Sequence, residues 1–141
     1  MGRVRAIVRA GLIVSAALAL GACGGSSDPT SQEILLELEA VGPEGTSGTV
    51  TLSKSGGGTA VLVDALVLSG GGGQTAGVHE GTCQNYKPEV AYDIGPVEEG
   101  VGGTTLDVET KELLDGNYVI VLHKSADDVS ALGCAPIEAG Q

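Results

Sequence analysis

The chain has 141 residues, with 18 acidic residues against seven basic ones, and a formal charge of −11. It contains three tyrosines and no phenylalanine or tryptophan. The length suits one domain, any core must come from Val, Leu, Ile and Ala, and the acidic balance excludes nucleic acid as a natural partner, because phosphate binding requires clustered Lys and Arg.

The N-terminal residues carry the organisation of an export signal. Arg3, Arg5 and Arg9 make a basic start, an apolar run follows from Leu12 to Leu20, and Leu20-Gly21-Ala22-Cys23 closes it. This is the order of a bacterial lipoprotein signal, with small residues placed before a cysteine. The apolar run is shorter than the roughly 20 residues of a spanning helix. The sequence therefore predicts a signal peptide over residues 1–22, cleavage before Cys23 and acylation of Cys23. The protein is then exported and lipid-anchored to the bacterial cell membrane, facing the periplasm or the cell exterior.

Residues 23–32 are small and polar and read as a flexible tether. Loss of the signal would leave 119 residues, four lysines, no arginine and all 18 acidic residues, a formal charge of −14. Anionic headgroups repel such a surface, so covalent lipid is the expected membrane contact.

From Glu33 the pattern has period two. Ile34, Leu36 and Leu38 alternate with Leu35, Glu37 and Glu39; Val50 and Leu52 alternate with Thr49, Thr51 and Ser53; Leu106 and Val108 alternate with Asp107 and Glu109. Alternation of this kind means strands with one buried face. Thr59–Leu68 and Asn117–His123 are longer apolar runs suited to central strands. Turn signals separate them at Gly42–Gly45, Ser55–Gly58, Ser69–Gly73, Gly100–Gly103 and Asp115–Asn117, and Glu109–Leu114 could form a single helical turn. Seven or eight short strands at this spacing predict an all-β antiparallel sandwich or barrel over residues 33–138.

With Cys23 assigned to lipid, Cys83 and Cys134 remain. An even pair in an oxidising compartment reads as a disulfide, two buried free thiols being the alternative. The glycine run Ser69–Gln74 lacks the Lys-Ser/Thr pair of a phosphate loop and is expected to be a hairpin tip. No serine sits in a Gly-x-Ser-x-Gly elbow. Asp127-Asp128 lacks the spacing of a calcium loop and suits Asx turns.

Two segments resemble the copper,zinc superoxide dismutase family. Ala76-Gly77-Val78-His79-Glu80-Gly81-Thr82-Cys83 is similar to its His-x-His-Glu motif followed by a disulfide cysteine. Val119-Ile120-Val121-Leu122-His123-Lys124-Ser125-Ala126-Asp127-Asp128 is similar to its late histidine strand and loop, and Leu132-Gly133-Cys134-Ala135-Pro136-Ile137 to its closing cysteine segment. The resemblance implies an eight-stranded Greek-key sandwich or barrel with a bridge from a long loop to the last strand, the Cys83–Cys134 pairing already suggested by cysteine counting.

His79 and His123 fall on copper-ligand positions of that family. Gly77 stands in place of another ligand, no further histidine exists for the bridging or zinc positions, and Ala131 falls near the substrate-guiding arginine. The zinc-binding loop is implied to be shortened to Thr82–Pro96. Copper redox chemistry needs several imidazoles in defined geometry. At most weak copper binding by His79 and His123 is expected, with water or a carboxylate such as Glu80, and no catalytic residue is assigned. The expected function is a non-catalytic, monomeric envelope lipoprotein that acts as a structural or interaction module. The alternatives are copper buffering and, behind it, residual dismutase activity.

Overall fold

The computed structural model describes residues 32–66 and 73–138. The expected signal peptide, Cys23 and nearly all of the tether lie outside the described residues, as do residues 69–72 of the glycine turn. In chain order the elements are β1 (Ile34–Ala40), β2 (Gly48–Ser55), β3 (Gly58–Ala65), β4 (Gln74–Thr82), β5 (Asn85–Val97), β6 (Val101–Leu106), α1 (Thr110–Asp115), β7 (Tyr118–His123) and β8 (Ala131–Pro136).

All pairings are antiparallel, and the sheet order is β5-β4-β7-β8-β1-β2-β3-β6. The β3–β6 and β4–β7 pairings join strands that are not consecutive, which makes the connections Greek-key crossovers. A tight turn bridged at Glu98 and Val101 brings the two ends of the sheet together. The result is the expected all-β, eight-stranded antiparallel fold, in the form of a nearly closed barrel.

Period-two alternation builds its interior. Leu36, Leu38, Val50, Leu52, Val63 and Val78 are buried within one continuous core. Their neighbours Leu35, Glu37 and Glu39 are exposed, and a one-residue slip would exchange the two sets. Each fully buried aliphatic side chain contributes about 1.5–3 kcal/mol. The helical turn expected at Glu109–Leu114 is α1, shifted by one residue. It inserts Leu113 into the core. Beside it the Thr59 hydroxyl donates to the Val108 carbonyl at 2.8 Å and lies 2.9 Å from the Thr110 hydroxyl.

Three expectations need correction. Thr59–Leu68 was expected to be a continuously apolar central strand, but β3 stops at Ala65, and Leu62 and Leu66 are exposed. Among the described residues nothing covers its outer face, so the side chains buried on β3 are those of Thr59, Val61, Val63 and Ala65, on the inner face. Gly100–Gly103 is not all turn: Gly102 and Gly103 belong to β6. A Cβ on Gly103 would lie 2.6 Å from the Val61 carbonyl oxygen, and one on Gly102 would lie 2.5 Å from that of Pro96. These glycines let β6 press against its neighbours. Finally, Thr82–Pro96 is not a shortened loop, because nearly all of it forms β5. Its backbone groups pair along β4, and register shifts absorb the mismatch.

Candidate functional site

Within the apolar run Asn117–His123, Asn117 is exposed and Tyr118 half-buried, whereas Val119 to His123 are buried, on two different surfaces. Ile120 and Leu122 face the barrel core, whereas Val119 and Val121 join Cys134 in a second apolar cluster packed against Val41, Cys83, Tyr86 and Ala131. Cys83 and Cys134 form the expected disulfide, with Cα atoms 5.8 Å apart. It ties the β4–β5 turn to β8 and covers the outer side of β7.

The two histidines meet on this covered side. His79 pairs laterally with Val119, Thr75 pairs with His123, and the Gly77–Val121 pair lies between them. Both imidazoles are buried, and their Nε2 atoms are 3.0 Å apart. Gly77 leaves the space they need. A Cβ there would lie 3.6 Å from His79 Nε2 and 3.0 Å from a Val90 methyl. Where the family resemblance calls for another ligand, this chain has glycine roofed by valine.

The outer nitrogens are both committed. His79 Nδ1 donates to the Lys87 carbonyl at 2.8 Å, and His123 Nδ1 donates to the Val129 carbonyl at 2.9 Å. A carbonyl only accepts, so each of these contacts requires the hydrogen on Nδ1. Two neutral imidazoles carry two ring hydrogens, and both are used. The facing Nε2 atoms are then two lone pairs at hydrogen-bond distance. The pair is one hydrogen short, and a single proton between the nitrogens would complete it; a metal ion, which needs about 2.0 Å to each nitrogen, would have to sit off the line joining them. Burial pushes His123 below the ordinary imidazole range; the Val129 carbonyl opposes that shift and nearby His79 adds to it.

The loop that presents Val129 is built by the expected Asx geometry at Asp128. Its Oδ1 accepts from the Ser130 amide at 3.1 Å and the Ser130 hydroxyl at 2.6 Å. Those bonds, the side-chain one first, hold the Asp128 carboxyl below its usual range.

These residues do not fit the copper and zinc centre of a dismutase. Among the described residues no group of three or more His, Cys, Asp or Glu side chains could hold a metal ion. Glu80, the carboxylate considered as a third donor, is exposed and paired with Lys87. Ala131 pairs with His123 across β7 and β8, and it offers no charge there. Two imidazole nitrogens are what the site supplies.

Sequence reasoning located both histidines and missed what surrounds them. Tyr86 packs on His79 with ring centroids 5.1 Å apart. Val90 roofs Gly77, and the Lys87 and Val129 carbonyls set the tautomers. Backbone carbonyls carry no residue signature, so no sequence signal could have revealed them. Neither a family model, nor a curated protein, nor a solved structure matches the chain.

Proposed function

We propose that the chain is a membrane-anchored envelope lipoprotein whose domain is a degenerate, non-catalytic relative of the copper,zinc superoxide dismutases, acting as a structural or interaction module. The observation that carries this reading is the Gly77–Val90 contact beside the histidine pair. It fills with apolar atoms the place of a ligand on which dismutation depends. The eight-stranded Greek-key barrel and the bridge to its last strand support the kinship, since the resemblance implies both. The acidic surface is also ill-suited to attracting the superoxide anion.

The test is metal retention. Full-length protein purified without a histidine tag, loaded with copper and desalted, should keep well below one equivalent and dismutate superoxide no faster than free copper. One tightly held equivalent with activity lost in His79→Ala would overturn the reading. Anchoring is tested separately: Cys23→Ser should abolish acyl labelling, and undiminished labelling would refute it.

The facing Nε2 lone pairs favour a second reading, weak copper binding or buffering. His79 and His123 would hold the ion, with water completing its shell. A saturable copper titration, reversed by desalting and lost in His123→Gln, would establish it.

A further inference from the structure

The three tyrosines, the chain's only large aromatic side chains, gather in one place. An open groove of about 600 Å³ runs between the β4–β5 hairpin and the α1–β7 turn, with Tyr86 and Tyr118 in its walls. Tyr92 meets the Tyr118 ring edge-on, with centroids 6.0 Å apart. Each wall ring is fixed from behind. Tyr86 rests on buried His79. Tyr118 lies across the backbone of Gly116, where a Cβ would come 2.2 Å from Tyr118 Cε2. Any larger residue at 116 would displace the ring.

The polar lining is balanced. Asn85 and Asn117 each offer an amide donor and an amide acceptor. Glu80 and Lys87, both lining residues, neutralise each other as an ion pair. Pro88 is the one aliphatic ring in the wall.

We propose that this groove binds a neutral, linear carbohydrate chain. The assignment rests on reading the domain as an interaction module, and it names that module's ligand class. Rigid tyrosine faces suit the C–H faces of sugar rings, and rigid aromatic contact costs little conformational entropy on binding. Amides that donate and accept suit hydroxyls, which do the same. An apolar ligand would find little aliphatic surface. A polyanion would be repelled by a body that, beyond residue 22, has 18 acidic residues against four lysines. An open groove admits a polymer segment, and its volume lies within the usual range for ligand sites, about 300–1,000 Å³.

The chain contains no tryptophan, so its intrinsic fluorescence comes from these tyrosines alone. Full-length protein in detergent is titrated with neutral linear hexasaccharides of glucose, mannose, xylose and arabinose, and in parallel with a proline-rich peptide. At least one sugar should give a saturable fluorescence change. Tyr118→Ala and the exposed-site variant Asn117→Ala should each weaken it by at least about tenfold, with the melting temperature of Asn117→Ala unchanged. No saturable response to any sugar, equal affinity in Asn117→Ala, or a response to the peptide alone would overturn the proposal. Copper retention reports on His79 and His123 and is scored independently, so failure here is distinguishable from failure of the non-catalytic reading.

Discussion

Strands β1, β2, β3 and β6 pair in uninterrupted register, and their outer face carries exposed Leu35, Leu62 and Val101. The half formed by β4, β5, β7 and β8 is different. Its ladders shift register at Ala76/Gly77, Val78/His79, His79/Gly81 and Leu122/His123. The outer face of β7 and β8 is covered, whereas β5 is largely exposed, and this half contains the disulfide, both histidines and all three tyrosines. The regular half needs one buried face and follows simple alternation. In the irregular half β7 and β8 bury two faces, and the bulges bend the strands that carry the histidine pair.

The disulfide is the strongest lever on this contrast. Cys83 and Cys134 are 51 residues apart, and closing a loop of that size stabilises by about 4 kcal/mol in the chain-entropy treatment. The double variant Cys83→Ala/Cys134→Ala should lose stability of that order in urea unfolding. Its amide protection should fall more in β4, β5 and β8 than in β2 and β3. Uniform loss across all strands would mean that the halves unfold as one unit and the distinction is only geometric.

The same chemical change made in each half gives the next largest effect. Val121→Ser places a hydroxyl in the covered cluster on β7 and should cost about 3 kcal/mol. Val101→Ser alters an exposed β6 position and should stay within about 0.5 kcal/mol. Similar costs for the two, read from chemical denaturation, would show that the outer side of β7 is not a second core.

The smallest predicted effect is a pH dependence confined to the irregular half. His123 has a folded value held below its ordinary 6.5, so between the two values the unfolded chain binds more protons than the folded one. Its contribution is present above pH 6.5 and is lost as pH falls toward the folded value, with a slope of at most about 1.4 kcal/mol per pH unit for one group. In chelator-treated protein, His123→Gln should flatten stability against pH in that window. An unchanged slope would remove His123 as its source.

Much of this is legible in the amino-acid sequence. Alternation at Ile34–Leu38 and Val50–Leu52 specified inward and outward faces, because a strand has period two whatever its neighbours are. With Cys23 expected to carry lipid, the two cysteines left over suggested the bridge, and Asp128 behaves as a short polar loop residue should. The apolar runs at Thr59–Leu68 and Asn117–His123 could not be told apart in this way. Both are rich in Val, Ile and Leu, yet among the described residues only the second has its outer face covered, by residues as distant in sequence as Val41 and Cys134.

The sequence by itself therefore determined the fold class, the approximate position of most strands and which histidines could matter, since these depend on local periodicity and on residue chemistry. Only the tertiary structure decided how those histidines meet. The 3.0 Å approach of their Nε2 atoms depends on the β4–β7 register, on the empty side-chain space at Gly77 and on two carbonyls that lock the tautomers. It likewise decided that Tyr86 and Tyr118, spread over 33 positions, wall one groove, with Tyr92 against the Tyr118 ring. Pairings between distant strands set both results, and no local property of the chain encodes them.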